Sequence, residues 1–170
     1  MSVLALRLIH IVCGVIWVGG VLFIAWFLIP TIRGVGPSGG AIMSHMVQVR
    51  RLPLVMMAVA ILTVLSGLAL YWRDSAGLNG AWMETGTGIV FSLGALLGLA
   101  SVAVGMAVNS PVSRRLGVLA AAAQAKGGPP SAEEAAEMQR LQTRLAAASN
   151  LVAALLVFAT AAMAVARYVP

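Results

Sequence analysis

Few side chains in this 170-residue sequence can do chemistry, and one of its two histidines, His10, stands in a costly place. It lies inside the apolar run LRLIHIVCGVIWVGGVLFIAWFLIP, where an ionisable ring carries a desolvation penalty unless it is paired. Such a position reads by default as a functional site. His10, Gly14, Trp17 and Val21 recur at the spacing of one helix face, with Cys13 and Gly20 beside them. Glycine on that stripe admits a neighbouring helix or a flat ligand, and Trp17 can stack on such a ligand or offer its N–H. The same stripe also reads as tight helix packing, with His10 bonded to a neighbouring carbonyl or hydroxyl.

If His10 holds a haem iron, its partner must share its depth, about 10 Å from the outer helix end at ~1.5 Å per residue. His45 precedes the second apolar run at the opposite membrane face, most of a bilayer away, and cannot clamp the same haem. Met163 suits the depth as a second ligand, and a five-coordinate site suits it equally. Ser66 and Gly67 reach a similar level and can contact the ring or bond the second imidazole nitrogen. Arg167, with Arg7 as a second candidate, can pair with a haem propionate. Arg167 and Tyr168 are equally ordinary interface anchors, and Trp72, Arg73, Asp74, Trp82 and Glu84 can cap the pocket or form an aromatic belt. A separate soft cluster, Met43, His45 and Met46, suits Cu(I), although methionines near an interface commonly fill apolar gaps. No cysteine pair, His-Glu metal signature, phosphate-binding glycine loop or nucleophile motif is present.

These residues need elements to carry them. Four apolar runs, residues 3–29, 52–71, 88–108 and 146–166, each supply the ~20 helical residues that cross a hydrocarbon core. The expected fold is all-α, a single domain built as a four-transmembrane-helix bundle. With 61% hydrophobic and 9% charged residues the chain lacks the polar surface of a soluble α-domain. The first run exceeds the ~7–15 residues of a signal-peptide core and no small-x-small site follows it, so it reads as a retained helix. The lone Cys13 excludes an internal disulfide framework.

Basic residues set an orientation. Arg33, Arg50, Arg51, Arg114, Arg115, Lys126, Arg140 and Arg144 fall on one side, against Arg7, Arg73 and Arg167 on the other. The positive-inside rule then puts loops 1 and 3 in the cytoplasm and both termini outside, in a bacterial-type inner membrane. The basic excess follows from topology and calls for no nucleic-acid partner. In the first loop RGVGPSGG breaks the helix, AIMSHMVQVRRLP lies at the interface, and Pro53 opens the second span. The third span is expected to end near Asn109-Ser110-Pro111. Beyond it, a Gly-Gly-Pro-Pro turn and a Ser131/Glu134 capping box predict a cytoplasmic helical hairpin continuous with the fourth span.

The patterns ALRLIHIVCGVIWVGGVLF and VRRLPLVMMAVAILTVLSGLALYW resemble the four-helix unit of the copper-resistance protein D family and the related HemJ-type protoporphyrinogen oxidases. The resemblance covers mainly the first two spans and rests on His10, the W-x-G-G of Trp17 to Gly20, and the L-T-x-x-S-G ending at Gly67. It implies a b-type haem held by His10. The third span departs: it has no ionisable group between Glu84 and Arg114, where both groups commonly carry a lysine. That departure argues against porphyrinogen oxidation and against a copper-import path.

The leading expectation is a haem b protein of membrane electron transfer or a related redox step, with a redox partner or larger complex. The alternatives are a copper transport or homeostasis protein, using Met43, His45 and Met46 with His10 and Cys13, and a cofactor-free accessory subunit. A homo-oligomer fits any of the three.

Overall fold

The computed structural model describes residues 2–35, 37–127 and 130–169, the side chains of residues 37, 38 and 124 apart, and every regular element among them is helical. Helix α1 (Val3–Phe23) starts on Ser2, whose hydroxyl accepts from the Ala5 N–H, and runs through a π-helical turn (Ile24–Leu28) into α2 (Ile29–Gly34). The chain continues as α3 (Pro37–Gln48) and α4 (Leu52–Asp74). Pro53 sits in the first turn of α4, where its missing N–H leaves no bond unmade. A short α5 (Gly80–Met83) precedes α6 (Gly86–Val104), a second π turn (Gly105–Asn109) and α7 (Ser110–Lys126). Helix α8 (Ala132–Val165) closes the chain with a 3-10 turn at Ala166–Tyr168.

Four helical stretches are long and apolar enough to cross a membrane: Val3–Gly34, Leu52–Asp74, Gly86–Ala123 and Ala132–Tyr168. Three of them outrun the bilayer. At ~1.5 Å per residue the 34 residues of α8 extend about 51 Å, against a hydrocarbon core of ~30 Å.

The third span corrects the sequence reading, because the helix does not stop at Asn109-Ser110-Pro111 but continues to Lys126. A proline ring clashes with the carbonyl four residues back, Ala107 in this case. The π turn immediately upstream widens the helix and moves that carbonyl aside, so the chain passes the proline without breaking. The same device recurs at Pro30, two residues beyond the Ile24–Leu28 π turn. In the first loop, α2 ends at Gly34 and α3 begins at Pro37, while the intervening Gly36 lies outside the described residues, as do Gly128 and Pro129 of the Gly-Gly-Pro-Pro segment.

The bundle is two tight pairs, α1 on α4 and α6 on α8, joined by slighter α1–α8 and α4–α6 contacts. Helices α1 and α4 run antiparallel, with Gly20 opposite Met56, Gly14 opposite Thr63 and His10 opposite Gly67. Trp17, Val152 and Leu156 form the central cluster, and α8 contributes small buried residues, Ala148, Ala153, Ala159 and Ala162 among them. Leu4, Leu8, Ile11 and Val15 remain exposed along α1. In a bilayer that face meets lipid as apolar as itself, so the protein needs only a narrow core of close-packed small residues.

Outside the expected spans 88–108 and 146–166, α7 packs on the first half of α8. Arg115 binds Glu137 through both carboxylate oxygens at 2.8 and 3.1 Å, and Lys126 meets Glu134 at 2.5 Å. Ser131 and Glu134 cap α8 reciprocally, as their spacing predicts. The Arg115 hydrogen bonds hold the Glu137 carboxyl below its ordinary range, and the Lys126 bond followed by the Ser131 N–H does the same for Glu134.

Candidate functional site

His10 is half-buried on α1 and faces α4. Its Nδ1 lies 2.8 Å from the main-chain carbonyl of Thr63. A carbonyl can only accept, so Nδ1 carries a proton, and in the neutral ring the lone pair then falls to Nε2. That bond sets both the ring's tautomer and its plane. Metal-ligating histidines are oriented the same way, by donating their second nitrogen to a carbonyl or carboxylate.

The ring fits because residue 67 is glycine. A Cβ there would lie 2.7 Å from His10 Cε1 and 2.9 Å from Nδ1. Gly14 is less constrained, since a Cβ would meet Thr63 Cγ2 at 3.6 Å, an ordinary contact. Around the shared carbonyl the hydroxyls of α4 turn inward on their own helix. Ser66 Oγ donates to Leu62 O at 2.5 Å and also lies 3.1 Å from Thr63 O, and Thr63 Oγ1 donates to Val59 O at 2.7 Å. Both α4 hydroxyls on this face are thereby satisfied, as a segment without water requires. Thr63 is the residue that motif reading missed as a partner. Its contribution is a main-chain oxygen, which all residues possess, and the only hint was the L-T-x-x-S-G pattern.

The other stripe residues have different neighbours. Trp17 is 7% exposed and packed among Val152, Leu156, Met56 and Val59, so its indole fills the bundle centre. His10 is seven residues from Trp17 and Met163 seven from Leu156, which puts the two at similar height. Their side chains nevertheless occupy different seams. Met163 packs on α6, where a Cβ on Gly94 would come within 2.9 Å of its Cγ and 3.3 Å of the Ala159 carbonyl. Arg167 is exposed on the terminal 3-10 turn, and Arg7 is exposed on the first turns of α1. Neither forms an ion pair among the described residues. The end of the bundle bearing them is closed by Tyr71, whose hydroxyl meets Ser92 Oγ at 2.6 Å and whose ring packs edge-on against Trp82. Thr87 Oγ1 donates to Val169 O at 2.9 Å there as well.

Met43, His45 and Met46 all fall on α3, with His45 exposed and both methionines half-buried. On a helix, residues three apart share a face and residues one or two apart do not, so His45 points away from the two thioethers. Cys13 is free and half-buried one turn after His10. No group of three or more His, Cys, Asp or Glu side chains converges among the described residues. Compared with known proteins, the chain matches no family model, no curated protein and no solved structure.

Proposed function

We propose that this four-helix membrane protein binds b-type haem through Nε2 of His10 and serves in membrane electron transfer or a related redox step. The observation that carries the reading is the Nδ1–H bond to the Thr63 carbonyl over Gly67, which leaves Nε2 as the one coordinating atom. Haem, when bound, supplies a one-electron couple in the membrane. The chain's own part is to hold the imidazole rigid and in the ligating tautomer. Arg7 and Arg167, both exposed and at His10's end of the bundle, suit the propionates. His10 would be the chain's strong haem ligand, since Met163 packs against Gly94 in the other seam.

The orientation that accompanies this reading puts both termini outside and the α7–α8 pair in the cytoplasm as a helical hairpin, because eight basic residues gather at that end. The reading is tested by a reduced-minus-oxidised visible spectrum of the protein purified with adequate haem supply. A b-type α-band that vanishes in His10→Ala and persists in His45→Ala supports it; no haem in a pyridine extract refutes it. A second reading, a cofactor-free accessory subunit, draws on Trp17, whose burial makes the stripe a packing surface at that level.

A further inference from the structure

A cleft of about 450 Å³ lies where the end of α2 meets the polar half of α8, lined by Arg33, Pro130, Ala135, Met138, Gln139, Gln142 and Thr143. Its volume falls in the range of ~300–1,000 Å³ typical of small-molecule sites. Arg33 stands in the last turn of α2 and donates through Nη2 to the main-chain carbonyl of Gln142. A guanidinium has five N–H donors, so this bond leaves most of them free. It has no carboxylate partner among the described residues, and Glu134 and Glu137 of α8 are paired with Lys126 and Arg115. Gln139 and Gln142 add amide donors to the same walls, whereas the Thr143 hydroxyl is spent on the Gln139 carbonyl. Pro130, Ala135 and Met138 make the remaining wall apolar.

We infer that this cleft binds a phosphate group, that of an anionic phospholipid whose glycerol lies against Met138 and Ala135. An unneutralised arginine beside amide donors suits the geometry of a phosphate, and the apolar wall suits what a lipid attaches to it. Arg33 follows the first apolar run directly, at the level of lipid headgroups. The inference is independent of haem binding.

The test is the melting temperature of the full-length protein in neutral detergent, with added phosphatidylglycerol, phosphatidylcholine or inorganic phosphate. Phosphatidylglycerol is expected to raise it more than phosphatidylcholine. Arg33→Gln should remove that difference, with roughly tenfold more lipid needed for any residual shift. Arg140→Gln deletes the same charge from a residue that does not line the cleft, and should preserve the difference. Gln142→Leu keeps the carbonyl that Arg33 uses and removes only the amide, so it serves if Arg33→Gln fails to fold; a reduced lipid shift is expected. Inorganic phosphate alone giving the full shift would identify a soluble anion as the occupant of the same cleft. Equal shifts with both lipids and none with phosphate, or equal losses in Arg33→Gln and Arg140→Gln, would overturn the assignment.

Discussion

The two helix pairs of the bundle use glycine to opposite ends. In the α6/α8 seam Gly94 brings two backbones together, so that a Cβ would stand 3.3 Å from the Ala159 carbonyl, and an apolar thioether fills the space beside it. In the α1/α4 seam Gly67 makes room for an imidazole, and the Thr63 carbonyl accepts a hydrogen bond from that ring's Nδ1–H. One seam is packing; the other is packing that fixes the orientation of an imidazole. Height within the membrane alone would have paired His10 with Met163, and the seams separate them.

The largest effect that could break this contrast is loss of the proposed haem. His10→Ala is expected to abolish haem binding, while Met163→Leu, which refills the space at Gly94, keeps the reduced α-band. Loss of the band in both variants would show that the seams act together. Next comes steric displacement: Gly67→Ala should cost about 1–3 kcal/mol as overpacking and lower haem per protein, whereas Gly94→Ala should cost a similar amount with haem retained per folded molecule. Gly14→Ala serves as the control, since its Cβ makes only ordinary contact with Thr63 and the change should be close to neutral in both melting and haem content. A smaller effect is expected from Ser66→Ala, below the ~0.6 kcal/mol average for hydrogen bonds between membrane helices because both of its bonds stay within α4, with the spectrum unchanged.

The smallest concerns α7 and the first half of α8, outside the expected spans 88–108 and 146–166. Glu134 and Glu137 have carboxyl groups lowered by their cationic partners, so their contribution is present above the unfolded-state value and fades as pH falls through the folded one. Acidification should therefore loosen the α7–α8 pair, read as faster amide exchange in residues 115–126, and leave the His10 seam unaffected. High salt should weaken the same contact at neutral pH, because both pairs are exposed.

Much of the architecture is readable without coordinates, and for definite reasons. Hydropathy alone marks four spans, because a helix in lipid must satisfy its backbone internally and present apolar side chains for about 20 residues. The Ser131/Glu134 cap and the place of Pro53 are equally local, each depending on residues within one turn. The stop expected at Pro111 does not occur, because the sequence shows a breaker but not the π turn that relieves it. The site divides in the same way. A lone histidine in a span announces itself through its desolvation cost, and Gly67 through its proximity to Thr63 and Ser66 in one motif. The acceptor for His10 and the seam for Met163 do not, since a main-chain carbonyl has no sequence signature and a thioether can face any neighbour.

What the sequence by itself determined, then, is the number of membrane helices, their caps and the presence of an expensive imidazole within the first. Those follow from short-range chemistry and the solvent. The tertiary structure alone decided that Nδ1 meets Thr63, that Trp17 belongs to the core and that Arg33 opens onto a cleft with α8. Each depends on the antiparallel register and rotation of helices distant in the chain, which the close approach of opposing small residues sets.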